Sequence, residues 1–406
     1  MVALDAPVSA ASGRRFALPA WSSGIGAGFI TGVGLIMDFE ILVLTSLVTL
    51  ACIIKRVGHR AMPAWGAAYV LTSGLWLFPA AHGPVELVSM IVGLPLAGAL
   101  FYGTIYIVSL QVPRLPWELA FGISVCQAEW LAAQAGLSVA PVGLASIGSG
   151  AEWLVAGVGV YGASGIIATV AAILARVGVA GLGLAIPVAF GAMIIPTVPS
   201  PLDGGPEYAA IRTNPDAIEK WTSITAAAEL EAMIDLSRRK SGTLTIWPEN
   251  AVRTTLRIDT AVAAIPEDIR PVLFGMTHVD PETNGYRNSA VLVGTDGSVQ
   301  MTTKTALVPI TEGGVFVPSR EALETGARSR LILGDGRQVL ALLCYEAAFR
   351  IPKADLEDVD TIFILAAESG FWQPVGSAIM NRHARVRELE TGINVEKISD
   401  YGGMDQ

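Results

Sequence analysis

TLTIWPENA, at residues 243–251, is the stretch that decides how this chain folds and where its chemistry lies. Its first five residues read as a hydrophobic strand, and Pro248 stops that strand because proline has no N–H for a sheet ladder. Glu249 follows directly, so one carboxylate is placed at a strand end. A glutamate held there matters chemically if a nucleophile and a cation lie within its reach.

Strand and helix signals alternate around this stretch, over residues 203–406. The predicted strands are YAAIRTN (208–214), TLTIW (243–247), VLFGM (272–276), NSAVLVG (288–294), VQMTTK (299–304), LALLCYE (340–346) and TIFILAA (361–367). The turn TDGS joins the fourth strand to the fifth. Helices are predicted at about 215–239 and 377–391, and the second helix closes the set. The pattern predicts an α/β fold whose central strands are buried on both faces.

Three reactive groups fall at the ends of predicted strands. Cys344 ends LALLCYE, Glu249 ends TLTIW, and Lys304 ends VQMTTK. If those strands are neighbours, the three side chains converge at one sheet edge. A thiol with its usual pKa of about 8.5 is mostly protonated at neutral pH, so attack on a carbonyl needs a base, which Glu249 can supply. Lys304 can then hold the oxyanion.

Each of these residues also has a plain structural interpretation. A lone cysteine in an apolar strand is usually a small core residue, and Glu249 and Lys304 are by default solvated charges at strand ends. Cys344 is nevertheless the only cysteine after residue 203, so no disulfide within that half accounts for it. Cys52 and Cys126 are interpreted as packing residues.

Composition divides the chain into parts that face different solvents. The mean hydropathy is +0.53, and long apolar runs occupy residues 21–196. We therefore predict a cytoplasmic tail at 1–21, a membrane domain of six or seven helices at 22–196 and a water-facing domain at 203–406. The net charge of −9 comes mainly from that last domain. It argues against nucleic acid as a partner, because no basic face is available to replace phosphate counterions.

The predicted spans are at about 22–37, 41–54, 62–80, 87–110, 116–136, 152–175 and 178–196. The first two are short for a crossing of roughly 20 residues, and they flank Asp38 and Glu40, so they form either a hairpin or one bent span. Alternate loops hold the basic residues, namely Lys55, Arg56, Arg60, Arg114 and Arg176. The positive-inside rule places those loops in the cytoplasm and residue 197 onward on the outer side.

Polar and small residues inside the spans leave two interpretations open. Glu129 and Gln127 lie in CQAEWLAAQAG, and an intramembrane carboxylate usually faces a bundle interior or a cavity. Glu129 therefore either makes a packing hydrogen bond or lines a lipid or substrate entrance. The small residues of GVGVYGASG (157–165) suit close helix packing.

No metal or cofactor site is expected from the sequence. The four histidines, His59, His82, His278 and His383, lie in unrelated settings. No nucleotide or cofactor motif is present. The expected partners are substrates and membrane lipid alone.

The ordered combination of WPENA, KTALVPITE (304–312) and CYEAAF (344–349) closely resembles the Glu–Lys–Cys series of the carbon–nitrogen hydrolase (nitrilase) superfamily. The apolar half narrows the resemblance to the apolipoprotein N-acyltransferase branch, in which several spans precede a periplasmic nitrilase domain. Further similar segments are AEWL (128–131), GVYGASG (159–165), YRNSAVLVGTDG (286–297) and HARVRELETG (383–392).

The resemblance implies an αββα nitrilase-like domain and a role for each site residue. Glu249 would be the general base, Lys304 the oxyanion cation and Cys344 the nucleophile. Glu312 would orient the lysine and the attacking water or amine. Tyr345, Glu346 and Asn288 would be supporting residues of the pocket.

The family reaction implies the partners and the location. The thiolate takes an acyl chain from a phospholipid as a thioester and passes it to an amine, which in the family is the N-terminus of a lipoprotein. The implied location is the bacterial inner membrane, with the C-terminal domain on the periplasmic side. The acyl-chain preference, the acceptor and the oligomeric state are left open.

Several segments depart from the family pattern. AAESGFW (366–372) stands where Ser-Asn-Asp is usual, KISDYGG (397–403) replaces an Asn-Thr-Gly segment, and KTALVPITEGG lacks the Phe-Gly-Glu loop. The chain ends at Gln406, before the closing strands and last span of true N-acyltransferases. This trimmed form is similar to the TraB-type conjugal-transfer proteins. Three functions therefore stay open: an acyltransferase, a non-catalytic envelope component that uses the fold as a binding platform, and a hydrolytic amidase.

Overall fold

The structure is a computed structural model that describes residues 20–81, 83–138, 140–177, 180, 183–184, 207–211, 223–240, 243–252, 258–308, 312–313 and 323–401. Most of the predicted tail, nearly all of the seventh predicted span at 178–196, His82 and the end of KISDYGG lie outside these ranges.

The N-terminal half is helical. Its α-helices are α1 (Ala20–Ile36), α2 (Glu40–Val57), α3 (Ala61–Ser73), α4 (Pro84–Leu110), α5 (Trp117–Gln134) and α6 (Glu152–Leu174). The first two predicted runs are thus two separate helices, joined by a short turn at 37–39. The predicted span 62–80 is corrected: its α-helix ends at Ser73, and a 3₁₀ helix follows at Leu75–Ala80.

Helix α4 has the polarity of a helix in lipid. It buries Glu86, Ser89 and Tyr102 but exposes Val88 and Leu96. A helix on a water-soluble protein does the reverse. Within the described part of the chain, two helices are long and apolar enough to cross a membrane, Pro84–Leu110 and Glu152–Val177. The six- or seven-span domain stays a prediction.

The C-terminal half contains two sheets. The first has the order β1 (Tyr208–Ala210), β2 (Leu244–Ile246), β3 (Val272–Val279), β4 (Tyr286–Val293) and β5 (Val299–Thr303). Its first three strands are parallel, and β4 and β5 pair antiparallel. The second sheet has the order β6 (Leu331–Ile332), β7 (Gln338–Leu343), β8 (Thr361–Ala366) and β9 (Asn394–Ser399), in which β7, β8 and β9 are parallel.

The two sheets stack face to face between helical layers. Apolar residues such as Ile246, Leu273 and Phe363 fill the space between the sheets. Helix α7 (Ser223–Arg239) covers the outer face of the first sheet together with the short α8 (Ile258–Ala263), and α9 (Val375–Thr391) covers the second sheet. The predicted α/β fold is therefore confirmed, in four layers.

The structure corrects three details of the predicted strands. The strands that lead to Glu249 and Lys304 belong to the first sheet without being neighbours, and the strand before Cys344 belongs to the second sheet. The strand predicted over LALLCYE ends at Leu343, and a 3₁₀ turn begins at Cys344. The helix at 377–391 does not close the fold, since β9 follows it.

Helix α9 also joins the two halves of the protein. Arg385 of α9 lies 2.7 Å from Glu152 of α6, and the Val160 N–H donates to Glu390 Oε1 at 2.8 Å. Gly159 has a φ of 75° inside α6, which turns this N–H outward from the helix. Arg382 pairs with Asp38 at 3.0 Å. The sheet carrying Cys344 is therefore fixed against the helical half.

Candidate active site

Glu249 lies in the turn after β2 and is 4% exposed. The turn packs onto β3 at Gly275, where a Cβ would lie 2.6 Å from the Glu249 Cα. The Ala251 N–H donates to the Gly275 carbonyl at 3.1 Å. The glycine therefore permits WPENA to lie directly on the neighbouring strand, which buries the carboxylate.

Lys304 lies one residue after β5 and is 1% exposed, so it is not a solvated charge. Its Nζ donates to Glu249 Oε1 at 3.0 Å and to Glu312 Oε1 at 2.6 Å. The Val308 N–H donates to the other oxygen of Glu312 at 2.9 Å. One buried ammonium group therefore bridges two carboxylates.

Two further donors fix Glu249. Asn288 on β4 donates its side-chain amide to Oε1 at 2.6 Å, and the backbone N–H of Ala367 donates to Oε2 at 3.1 Å. Ala367 follows β8 in the second sheet. Both oxygens of the carboxylate are thus held, one by a side chain and one by the backbone.

Cys344 follows β7 directly and is 4% exposed. Its φ of 47° lies in the left-handed region, which is uncommon for a residue other than glycine and is a form of strain found at functional sites. Burial raises the pKa of the thiol well above its usual value, the Glu249 carboxylate adds to the increase, and Lys304 opposes it. The neutral thiol is therefore the favoured form of Cys344.

The charges around Lys304 change its pKa and that of Glu312. Burial by itself lowers the pKa of Lys304, but Glu249 and Glu312 outweigh burial and raise it. Burial raises the pKa of Glu312, and the ammonium group of Lys304 acts in the opposite direction. The two carboxylates therefore stabilise the charged form of Lys304.

Glu346 ties the cysteine turn to the lysine segment. Its Oε2 accepts the Leu343 N–H at 2.9 Å, which caps the turn that begins at Cys344. Its Oε1 accepts the Thr305 N–H at 2.9 Å and a guanidinium N–H of Arg328 at 2.8 Å. Because Thr305 follows Lys304, a single side chain ties the turn at Cys344 to the segment after Lys304.

Tyr345 points toward the helical half rather than toward the carboxylates. Its hydroxyl donates to the Gly136 carbonyl at 3.0 Å and accepts the Ser138 N–H at 2.9 Å. The Ser138 hydroxyl donates to the Ala348 carbonyl at 3.0 Å. The turn that carries Cys344 is thus hydrogen-bonded to the loop after α5.

The segments that depart from the family pattern contact each other. Lys397 lies 2.5 Å from Glu368, whose other oxygen accepts the Ser399 hydroxyl at 2.8 Å. Asp400 accepts the backbone N–H groups of Glu368 at 2.6 Å and Ser369 at 3.0 Å. Residues 368–369 and 397–400 therefore form one polar network behind Ala367.

The structure brings all seven predicted site residues to one end of the sandwich. Glu249, Lys304, Glu312 and Asn288 are in direct hydrogen-bond contact, whereas Glu346 and Tyr345 support the turn that carries Cys344. Arg328, Ala367 and the Glu368–Lys397 pair were not identified from the sequence, because a backbone N–H and a distant arginine leave no local pattern. Within the described ranges, no group of three His, Cys, Asp or Glu residues could hold a metal ion.

Comparison with known proteins gives similarities to solved structures. No protein-family model matches the chain, and no curated protein matches it. A CN-hydrolase superfamily protein of Xanthomonas campestris, solved with an arsenic adduct in its active site, is 18% identical with a TM-score of 0.36. That likeness covers 48% of this chain and 75% of the other.

Two further structures are similar over less of their own length. The NitFhit protein of C. elegans is 14% identical, with a TM-score of 0.35 over 48% of this chain and 50% of the other. A glutamine-dependent NAD(+) synthetase of Cytophaga hutchinsonii is 14% identical, with a TM-score of 0.24 over 40% of this chain and 31% of the other. At these values the similarity assigns no role to any residue of this chain.

Proposed function

We propose that this protein is a membrane-bound enzyme of the carbon–nitrogen hydrolase type that forms a thioester at Cys344. The observation that carries the proposal is the buried Lys304 ammonium group held between Glu249 and Glu312 beside a strained cysteine turn. Perturbed titratable groups gathered at one place are characteristic of catalytic sites. In this proposal Glu249 is the base, Lys304 is the cation and Cys344 is the nucleophile.

Acylation begins with transfer of the thiol proton from Cys344 to Glu249. The sulfur then attacks the ester carbonyl of the donor, and the negative charge that develops on the carbonyl oxygen lies against the Lys304 ammonium group. The intermediate collapses when the C–O bond breaks, and Glu249 returns the proton to the leaving alkoxide. The products are an acyl-enzyme thioester and an alcohol.

Deacylation uses the same residues in reverse order. An acceptor amine attacks the thioester carbonyl, and Glu249 takes the proton that the amine loses. The C–S bond breaks, and the proton passes to the sulfur, which regenerates the thiol and releases an amide. The arrangement thus supports ping-pong transfer from an ester to an amine.

The helical half supports a membrane lipid as the acyl donor. Helix α4 exposes apolar side chains and buries polar ones, so lipid is its favoured solvent. A phospholipid in the same membrane has its ester groups near the membrane surface, where a domain attached to the helices can reach them. We propose a phospholipid as donor and an amine as acceptor.

The position of the basic residues supports an outer-side location. Lys55 lies over the Trp117 ring at 4.9 Å, and Arg176 pairs with Glu118, so both cations lie at the start of α5. The other end of α5 leads to the loop that bonds Tyr345. The helix has 18 residues and is therefore about 27 Å long. With the basic end in the cytoplasm, the α/β half is on the periplasmic side of a bacterial inner membrane.

The buried charges favour an enzyme over a binding platform. Removing an ammonium group and its carboxylate partners from water costs roughly several kcal/mol per ion. A binding platform gains nothing from this cost, whereas an enzyme uses the charges for catalysis. An amidase would use the same triad with water in place of the amine. Within the acyltransferase proposal, we propose a role in plasmid conjugal transfer, because the sequence pattern resembles that of the TraB-type proteins.

Incubation of the purified protein with acyl-labelled phospholipid tests the proposal. The wild-type protein is expected to carry a hydroxylamine-sensitive label, and Cys344→Ala to carry none. Equal labelling of both proteins would exclude a thioester at Cys344. An added amine should release the label as an amide, whereas release only as free fatty acid would identify a hydrolase. Complementation of a strain depleted of N-acyltransferase then tests whether lipoprotein is the acceptor.

A further inference from the structure

A pocket lies among helices α3–α6 and the loop that follows α5. Its wall is mainly apolar, with residues such as Val70, Ala97 and Phe101, and three tyrosine rings line it. The pocket is outside the Glu249–Lys304–Cys344 group. Its polar lining is Tyr69, Tyr102, Tyr161, Ser73, Ser138 and Glu129.

Glu129 is the only carboxylate among the residues that line this pocket, and it is 5% exposed. The Val142 N–H donates to its Oε1 at 2.8 Å, and the Tyr102 hydroxyl does so at 3.4 Å. The Tyr69 hydroxyl lies 3.3 Å from the same oxygen and makes a shorter bond, of 2.6 Å, to the Ala140 carbonyl. One oxygen of the carboxylate is therefore surrounded by protein groups.

The second oxygen of Glu129 is buried and has no hydrogen-bond partner in the described structure. The nearby Ser164 hydroxyl donates to the Val160 carbonyl at 3.1 Å and accepts the Gly143 N–H at 2.7 Å, and it also lies close to the Glu129 carboxylate. No lysine or arginine lines the pocket. A buried carboxylate is costly without a partner, so this oxygen can accept a hydrogen bond from a group that enters the pocket.

The pocket is adjacent to the turn that carries the nucleophile. Ser138 lines the pocket, and its N–H and hydroxyl bond Tyr345 and Ala348. Tyr345 is next to Cys344 in the chain. A ligand held at Glu129 therefore lies behind the loop that supports the acylation site.

We propose that this pocket binds an ammonium group, with Glu129 as the counter-ion and the tyrosine rings as its aromatic wall. Aromatic faces attract cations electrostatically, most strongly where water is excluded. The inference rests on the proposed function, in which an ammonium group occurs in two places: on the free amine acceptor and on an ethanolamine lipid headgroup. Both sources present the same chemistry to Glu129.

Binding of n-butylammonium tests the proposal, with n-butanol as its neutral counterpart. The full-length protein carries Cys344→Ala, so that binding is measured without chemistry, and calorimetry in detergent gives the affinity. We expect n-butylammonium to bind at least tenfold more tightly than n-butanol, and Glu129→Gln to remove this preference, a difference of about 1.4 kcal/mol or more. The matched control is Glu118→Gln, which removes another buried carboxylate of α5 and should leave binding unchanged.

A lipid arm distinguishes the two sources. The same proteins are incubated with a mixture of phosphatidylethanolamine and phosphatidylglycerol, and the retained lipid is identified by mass spectrometry. Preferential retention of phosphatidylethanolamine that is lost in Glu129→Gln identifies a headgroup site. Binding of n-butylammonium without that retention identifies a site for a free amine.

Two outcomes would overturn the proposal: equal binding of n-butanol, or undiminished ammonium and headgroup preference in Glu129→Gln. If that variant does not fold, Ala132→Leu fills the pocket while keeping Glu129, and it must reduce binding of n-butylammonium by a comparable factor. The experiment also distinguishes failure of the proposed function from failure of the ammonium site. In that case wild-type protein forms no thioester, while the Cys344→Ala protein still binds the ammonium group.

Discussion

The backbone N–H of Ala367 donates to Glu249 Oε2 at 3.1 Å, so a residue that follows a strand of the second sheet holds the carboxylate that follows a strand of the first. The site therefore exists only where the two sheets are stacked in register. Lys304 reaches Glu249 from the first sheet, and Cys344 approaches from the second. Base and nucleophile are brought together by tertiary packing rather than by neighbouring strands.

Replacement of Glu249 by glutamine should remove the base while it keeps the shape of the side chain. Thioester formation in a single turnover is expected to slow by about 10²–10⁴, the range typical of general-base catalysis. Glu282→Gln, at an exposed position, is the matched control and should react at the wild-type rate. A Glu249→Gln protein that acylates as fast as the control would exclude Glu249 as the base.

Alkylation of Cys344 should report the influence of Glu249 on the thiol. Burial raises the pKa of Cys344, and the Glu249 carboxylate raises it further, so reaction with iodoacetamide near neutral pH should be slower than that of an exposed cysteine. In Glu249→Gln the midpoint of the pH–rate profile should move to lower pH, although acyl transfer is lost. The measurement uses a Cys52→Ala, Cys126→Ala background, and an unchanged midpoint would contradict the proposed proximity.

The same raised pKa has a consequence for stability. A group whose pKa is higher in the folded state keeps its full contribution below the unfolded pKa, about 8.5 for cysteine. Stability should then fall as the pH rises above that value, because the unfolded protein releases the proton first. Cys344→Ala should flatten this alkaline loss in thermal unfolding experiments, whereas Cys126→Ala should change it less. Parallel alkaline slopes for wild type and Cys344→Ala would be inconsistent with a buried neutral thiol.

Lys304→Met should destabilise the protein because it leaves the buried carboxylate of Glu249 and the partly buried carboxylate of Glu312 without their shared cation. The expected loss in the free energy of unfolding is about 3–5 kcal/mol, typical of removing one partner of a buried ion pair. The double variant Lys304→Met, Glu312→Gln should recover part of this loss, since one of the two charges is gone. Both variants should fail to form the thioester, because the oxyanion has no cation. Additive effects in the double-mutant cycle would show that the two residues do not interact.

The Glu368–Lys397 pair provides a test of the segments that depart from the family pattern. Glu368 is fully buried, so Lys397→Met should again cost about 3–5 kcal/mol. The double variant Lys397→Met, Glu368→Gln should be more stable than the single variant, as measured by thermal unfolding. Lys353→Met, which removes a lysine from an exposed position, is the control. A double variant no more stable than Lys397→Met would mean that the network does not depend on the ion pair.

The sequence predicts some parts of this site well and others not at all, for physical reasons. The apolar runs before Glu249 and Cys344 carry strand signals because those strands are buried, whereas VQMTT before Lys304 is half exposed and is recognised from its β-branched residues and the turn TDGS. Sheet membership depends on non-local pairing, which leaves no local pattern, so the sequence left open whether these strands are neighbours, and the structure shows that they are not. Strand β9 was missed because NVEKIS is a half-buried edge strand that carries Glu396 and Lys397. The left-handed turn at Cys344 has no glycine or asparagine to mark it.

Tyr345→Phe tests whether Tyr345 positions the turn that carries Cys344 without changing the reactivity of the thiol. Phenylalanine keeps the edge-on contact with Phe349, whose ring centroid is 4.9 Å away, but removes the hydroxyl that bonds Gly136 and Ser138. The unpaired Ser138 N–H is buried, so the free energy of unfolding should fall by about 1–3 kcal/mol. Alkylation of Cys344 by iodoacetamide should stay at the wild-type rate, because the carboxylates around the thiol are unchanged. Acylation by phospholipid should slow by about tenfold, since that step needs the turn aligned with the helical half. If alkylation and acylation fall together, Tyr345 supports the thiol itself rather than its alignment with the membrane domain.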